Sequence, residues 1–170
     1  MRLYVMRHGP AEDRAASGLD ADRHLTTPGR DVVERAARRL REARGAASPR
    51  GAPSRAAPIS QLLSSPLLRA RETAEIVWRA VGDPATPFEV DDDLSTDAHA
   101  PVDLAMRLVA GGVDTVIVGH NPNVEDLVRQ VAQPTSFAGF RTAMIVCLEV
   151  EAGGERAGPW RLVEVIDPHR

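Results

Sequence analysis

The chain has 170 residues and a formal net charge of −3, with 43% hydrophobic and 26% charged residues. This is the composition of a soluble globular protein long enough for one sizeable core, and it gives no support to general binding of nucleic acid or of an anionic membrane surface. The single cysteine, Cys147, excludes an intrachain disulfide and a multi-cysteine zinc site, and all 21 basic residues being arginine excludes a lysine nucleophile.

Residues 2–7 read as a buried strand, with Leu3, Tyr4, Val5 and Met6 in one apolar run. Arg7 interrupts that run too early for a signal peptide, and no apolar run approaches the roughly 18 residues of a membrane span, so a cytoplasmic location is expected. The strand ends in Arg7-His8-Gly9-Pro10. A guanidinium beside an imidazole at a strand's exit is costly unless an anion sits there, with one ring nitrogen free to attack it. Residues 10–25 are polar and irregular. Thr27-Pro28 reads as N-cap and first residue of a helix over 28–44, whose buried face is Val33, Ala36, Ala37 and Leu40.

The Ala-, Pro-, Gly- and Ser-rich stretch 45–58 is expected to be a surface loop rather than a domain boundary, leaving residues 1–170 as a single domain. Ile59 to Leu63 predict a second strand, and Ser65 and Pro66 are expected to cap and open a second helix, buried through Leu67, Ala70, Ala74, Val77 and Val81 and stopped by Gly82. Phe88-Glu89-Val90 is a short strand and residues 101–110 a short helix, with Leu104 and Leu108 inward. Asp114 to Gly119 is the clearest buried strand, followed by His120-Asn121-Pro122 and a helix marked by Val124, Leu127, Val128 and Val131. Residues 142–150 and 160–166 predict a closing β-hairpin in which the second strand alternates only imperfectly. Strands alternating with helices imply right-handed βαβ units. The expected fold is therefore a three-layer α/β/α sandwich with a mostly parallel sheet and an antiparallel C-terminal hairpin.

Three strand exits carry unusual residues: Arg7-His8-Gly9, Ser64-Ser65-Pro66-Leu67-Leu68-Arg69 and Gly119-His120-Asn121-Pro122. In an open parallel sheet ligands bind beyond the carboxyl ends of the strands, so these three motifs can share one rim. Arg69, about the fourth residue of its helix if Ser65 is the cap, opposes the helix dipole unless an anion is bound there. The alternative is an ion pair with Glu72 or Asp93. A lone histidine at a strand end, such as His120, is more often structural, but its expected partnership with His8 favours a place in the site.

These motifs resemble the histidine phosphatase (phosphoglycerate mutase-like) superfamily. The short chain, Arg23-His24-Leu25-Thr26-Thr27-Pro28-Gly29 and Gly119-His120-Asn121-Pro122-Asn123-Val124-Glu125 are most similar to its SixA-type phosphohistidine phosphatases. The resemblance implies that His8 is a nucleophile that becomes phosphorylated, that Arg7 and Arg69 bind phosphate, that His120 contacts the phosphoryl oxygens, and that Arg23 is an accessory phosphate-site arginine. It implies a phosphatase working through phosphohistidine, with no metal or other cofactor. The expected substrate is phosphohistidine in a protein; a small phosphomonoester, or a phosphate-binding protein without turnover, are the alternatives. The acid that would protonate a leaving group is not placed by any motif; Asp13, Glu72 and Asp93 are candidates. An imidazole leaving group asks less of such an acid than an alkoxide does, which favours phosphohistidine.

The remaining chemistry-bearing residues read as structural. His99 and His169 are expected at the surface, Cys147 in the core, Trp78 and Trp160 in packing. A metal site built from His8, His24 and His120 is disfavoured by the arginines around it. The small size permits a monomer.

Overall fold

The computed structural model describes residues 1–46, 58–97, 101–150 and 159–170. The loop expected at 45–58, His99, and the turn of the closing hairpin lie wholly or largely outside the described residues. The elements in chain order are β1 (Arg2–Arg7), α1 (Thr27–Ala46), β2 (Gln61–Ser64), α2 (Leu68–Val81), β3 (Glu89–Val90), α3 (Pro101–Gly111), β4 (Thr115–Gly119), α4 (Asn123–Ala132), β5 (Ile145–Val150) and β6 (Trp160–Ile166), with short 3₁₀ turns at Asp20–Asp22 and Asp92–Leu94.

The six strands form one sheet in the order β3-β2-β4-β1-β5-β6. β1, β2, β3 and β4 run parallel, while β5 pairs antiparallel with both β1 and β6. Because the sheet is covered on both faces, its inner strands are continuously apolar, and the period of two only decides which helices each side chain meets. Tyr4, Met6, Val116, Val118 and Leu62 pack with Val33, Ala36, Leu40, Ala74 and Val77 of α1 and α2. Leu3, Val5, Ile117 and Leu63 pack with Leu104 and Leu108 of α3 and Leu127 and Val128 of α4. The three expected layers are present, and the sheet is mostly parallel with the antiparallel hairpin at its end. The imperfect alternation in β6 has a local cause. The β5–β6 register shifts between Cys147 and Leu148, which face Glu164 and Leu162, so Val163 is the extra residue of a bulge. Cys147 is buried, and burial pushes its thiol up to about 12, as befits a core residue.

Two helix starts differ from the expected ones. α1 opens at Thr27 itself; the Gly29 amide donates to Thr26 Oγ1 at 3.0 Å, so Thr26 does the capping expected of Thr27. α2 opens at Leu68, after Leu67 in an extended conformation with no side-chain cap. Ser65 does not cap it, because its backbone is still held in the sheet by Val118 O and its hydroxyl is turned to His120. Arg69 is therefore the second residue of α2, two residues closer to the positive end of the dipole than expected.

The registers bring the strand ends level. Arg7 lies opposite Gly119, and Ser64 opposite Val118. The residues just past these ends are tied in turn, His8 N–H to Gly119 O at 3.0 Å and Ser65 N–H to Val118 O at 2.9 Å. Gly9 then passes close under α1: a Cβ built there would lie 2.3 Å from Val33 Cγ2 and 3.2 Å from Leu25 Cδ2. Val33 is fully buried and cannot step aside. Gly9→Ala is expected to cost about 1–3 kcal/mol of stability by overpacking, seen as a lower urea midpoint at unchanged slope.

Candidate active site

The parallel register sets His8 and His120 side by side, with ring centroids 4.9 Å apart and planes tilted by 53°. His8 Nδ1 lies 2.7 Å from the Gly9 carbonyl oxygen. A carbonyl only accepts, so Nδ1 carries the proton and the lone pair is left on Nε2. Gly9 is fixed in turn by α2, since its amide donates to Thr73 Oγ1 at 3.0 Å and that hydroxyl donates to Arg69 O at 2.7 Å. One threonine thus ties the strand exit carrying His8 to the helix turn carrying Arg69.

Arg7 leaves the end of β1 and donates through NH1 to Phe140 O at 3.0 Å. The loop at Phe140 is held by Glu125, which accepts from the Phe140 amide, from Asn121 Nδ2 and from Arg129. Glu125 also offsets part of the loss in Arg7 basicity that burial causes. Arg69 is only 4% exposed, and His120 2%. Gly119 allows the turn before His120 to lie against α4, where an added Cβ would be 2.9 Å from Val124 Cγ1. The Asn121–Pro122 peptide bond that follows is cis.

The guanidiniums of Arg7, Arg69 and Arg23 all act on His8. Burial is the larger influence, and together they push its pKa down to about 4 against the Gly9 hydrogen bond. Burial, His8 and Arg69 push His120 down to about 3. Both rings are neutral at pH 7. An unfolded histidine, with a pKa of about 6.5, takes up its proton first as the pH falls. Stability should therefore be full above about pH 6.5 and decline as the pH drops towards about 4, where His8 alone accounts for about 3 kcal/mol. The check is urea unfolding at about pH 7 and about pH 4.5 for wild type and His8→Ala: the variant should lose about 2–3 kcal/mol less on acidification, with His120 still supplying its own share.

The sequence-predicted residues Arg7, His8, Arg69 and His120 are brought together at the carboxyl edge of the sheet, and Arg23 reaches them from the loop between β1 and α1. Arg69 pairs with neither Glu72 nor Asp93. It donates through NH2 to Asp20 Oδ2 at 2.9 Å and through NH1 to the Asp20 carbonyl at 2.8 Å. Arg23 NH1 holds the other Asp20 oxygen at 2.8 Å, and its Nε donates to Glu12 O. Asp20 was not foreseen. Hydrogen bonding from Arg23 keeps its carboxyl below the usual carboxylate range, with Arg69 adding to the effect. Glu72 is committed elsewhere, accepting from the Leu25 amide at 2.7 Å and pairing with Arg30 and with His24 Nδ1. Asp93 pairs with Arg107 at 2.7 Å. His169 is exposed, as expected. Arg7 Nε, Arg69 Nε and His120 Nδ1 are buried without a hydrogen-bond partner. Among the described residues no group of three or more His, Cys, Asp and Glu could hold a metal ion, and no helix is long and apolar enough to cross a membrane.

The family model for the histidine phosphatase superfamily (branch 1) matches residues 3–96. A curated relative, an uncharacterized protein of Picosynechococcus, is 33% identical over 135 residues, covering 78% of this chain and 73% of its own. Among solved structures, the protein histidine phosphatase SixA complexed with tungstate is similar with a TM-score of 0.78 and 26% identity, covering 99% of this chain and 98% of that one. A putative phosphohistidine phosphatase SixA from Agrobacterium tumefaciens has a TM-score of 0.71 at 23% identity, with 96% of each chain covered. A mycobacterial glucosyl-3-phosphoglycerate phosphatase in complex with VO3 shares the fold at a TM-score of 0.63 and 20% identity, covering 96% of this chain and 97% of that one.

Proposed function

Since the chain belongs to the histidine phosphatase superfamily, we propose that it is a metal-independent phosphatase that works through phospho-His8 and removes phosphate from phosphohistidine in a protein. The observation that carries this reading is the state of His8: neutral, with Nδ1–H spent on Gly9 O and the Nε2 lone pair left among three guanidiniums. The Nε2 lone pair attacks phosphorus as the bond to the leaving group breaks, and the leaving group keeps that electron pair. Arg7 and Arg69 hold the phosphoryl oxygens and neutralise the charge that collects on them, the work a divalent cation does elsewhere. Water then attacks phosphorus as the Nε2–P bond breaks, the pair returning to Nε2 and the water's proton passing to a phosphoryl oxygen or to solvent, which releases orthophosphate.

The state of the acids supports phosphohistidine as substrate. Glu72 is held below the carboxylate range by His24, Leu25 and Arg30 despite its burial, Asp93 is in an ion pair, and Asp20 is ionised between two arginines. Glu72 and Asp20 are therefore not ready proton donors at neutral pH. An alkoxide leaving group needs such a donor; an imidazole, which can be protonated on its second nitrogen beforehand, does not. The similarity to SixA over nearly the whole chain points the same way. The test is turnover of a phosphohistidine-bearing protein and of p-nitrophenyl phosphate side by side. The former should be hydrolysed with the higher kcat/KM. Robust turnover of the ester with none of phosphohistidine would overturn the choice of substrate.

A further inference from the structure

Resting on the reading of this site as an oxyanion pocket, we infer that Ser65 is a positioning residue that fixes the tautomer of His120. Ser65 and His120 are both buried, and Ser65 Oγ lies 2.8 Å from His120 Nε2. A hydroxyl–imidazole contact can run in either direction, so the proton must be placed by its surroundings. The other neighbour of Ser65 Oγ is the Leu67 amide, which donates to it at 3.4 Å. Ser65 therefore already accepts one hydrogen bond, and Nε2 is the acceptor within reach of its own proton. With the Ser65 hydroxyl donating, Nε2 is the accepting nitrogen. Because the ring is neutral at pH 7, its single proton is then on Nδ1.

Nδ1 is the atom that is buried without a partner. It shares that condition with Arg7 Nε and Arg69 Nε, and with one acceptor, Asn121 Oδ1. Two guanidinium N–H groups and, in this tautomer, His120 Nδ1–H thus lack an acceptor, and a group that only accepts, such as a tetrahedral oxyanion, is the complement of His120 Nδ1–H. In the opposite tautomer Nδ1 would present a lone pair to the oxyanion and repel it. Ser65 is well suited to the task, because its amide bond to Val118 O extends the β2–β4 ladder and fixes its Cβ direction. The second serine of Ser64-Ser65 thus acts across the sheet on the neighbouring strand exit, while Ser64 Oγ donates to the Ser65 carbonyl at 3.0 Å.

The experiment reads the tautomer and the oxyanion affinity separately. ¹⁵N NMR of the histidine rings in the wild type at pH 7 should show His120 protonated on Nδ1 and bare on Nε2. Ser65→Ala should shift that signal towards a mixture of tautomers and weaken tungstate binding by about 10- to 100-fold, the scale of losing one preorganised oxyanion donor. Ser65→Cys, which keeps a weak donor at nearly the same place, should recover part of both effects. A wild-type His120 protonated on Nε2 overturns the proposal, as does a Ser65→Ala protein whose tautomer and tungstate affinity match the wild type. Should Ser65→Ala fail to fold, the wild-type spectrum and Ser65→Cys still decide. These readouts do not depend on turnover, so a protein that prefers phosphomonoesters leaves the inference standing. A wild type that binds no tungstate but shows the Nδ1–H tautomer upholds the positioning and overturns the oxyanion pocket.

Discussion

His8→Ala is expected to abolish turnover, lowering kcat by at least about a thousandfold, and with it any acid-labile phosphate on the protein. The expectation is sharp because the backbone at residue 8 does not depend on its side chain. The His8 amide is held by Gly119 O and its carbonyl by the Ala143 amide, both at 3.0 Å. The Gly9 amide is held by Thr73. The variant should therefore keep its fold, Arg7, Arg69 and His120 should stay in place, and tungstate should still bind. On the proposed mechanism, what disappears is the Nε2 lone pair that would form the bond to phosphorus. Quenched-flow labelling with a phosphohistidine protein, followed by acid treatment, reads the intermediate directly. Activity within tenfold of the wild type would refute the covalent mechanism.

Arg69→Lys is expected to lose about a hundred- to ten-thousandfold in kcat/KM, and Arg69→Ala no less. Arg69 is almost wholly buried at the second position of α2, where a cation faces the positive end of the helix dipole. A lysine carries the same charge to that place but without the planar pair of donors that matches two phosphoryl oxygens. Its point charge would also leave one of the two contacts to Asp20 unmade. Steady-state kinetics together with circular dichroism separates a catalytic loss from a folding defect. A lysine variant within tenfold of the wild type would show that charge alone, rather than bidentate geometry, is what the site requires.

Much of this was readable from residue types at strand ends. The apolar runs of β1 and β4 announce strands buried on both faces, and a parallel sheet sends all its exits to one edge. Arg7, His8, Arg69 and His120 stand at or just past such exits, and so their meeting follows from topology. Ser65 and Asp20 were not readable for opposite reasons. Ser65 sits where a serine ahead of a helix ordinarily caps it, and only the register of β2 against β4 shows that its hydroxyl belongs to His120. Asp20 is one acid among several in a polar loop, and its partner Arg69 is 49 residues away, joined through a short 3₁₀ turn that no periodicity marks. The substrate is less legible still, because the reading of it depends on how Glu72 and Asp20 are tied up, and only their partners in the folded chain show that.

The carboxylate of Asp20, resting on Arg69 and Arg23, is a built-in counter-ion for the two guanidiniums. A tethered anion competes at a fixed effective concentration, on the order of millimolar for a short loop, whatever the solution contains. Chloride or acetate, with a single charge, gains little by replacing it, whereas a phosphoryl group brings about −1.5 to −2 charges and three strong acceptors. In the proposed phosphate site this carboxylate would insulate the arginines against abundant monoanions while leaving their affinity for a more highly charged guest. The same carboxylate is at hand to reclaim the arginines once orthophosphate begins to leave. Asp20→Asn should bind tungstate about two- to fivefold more tightly and become measurably inhibited by chloride, a selectivity that binding titrations at constant ionic strength would expose.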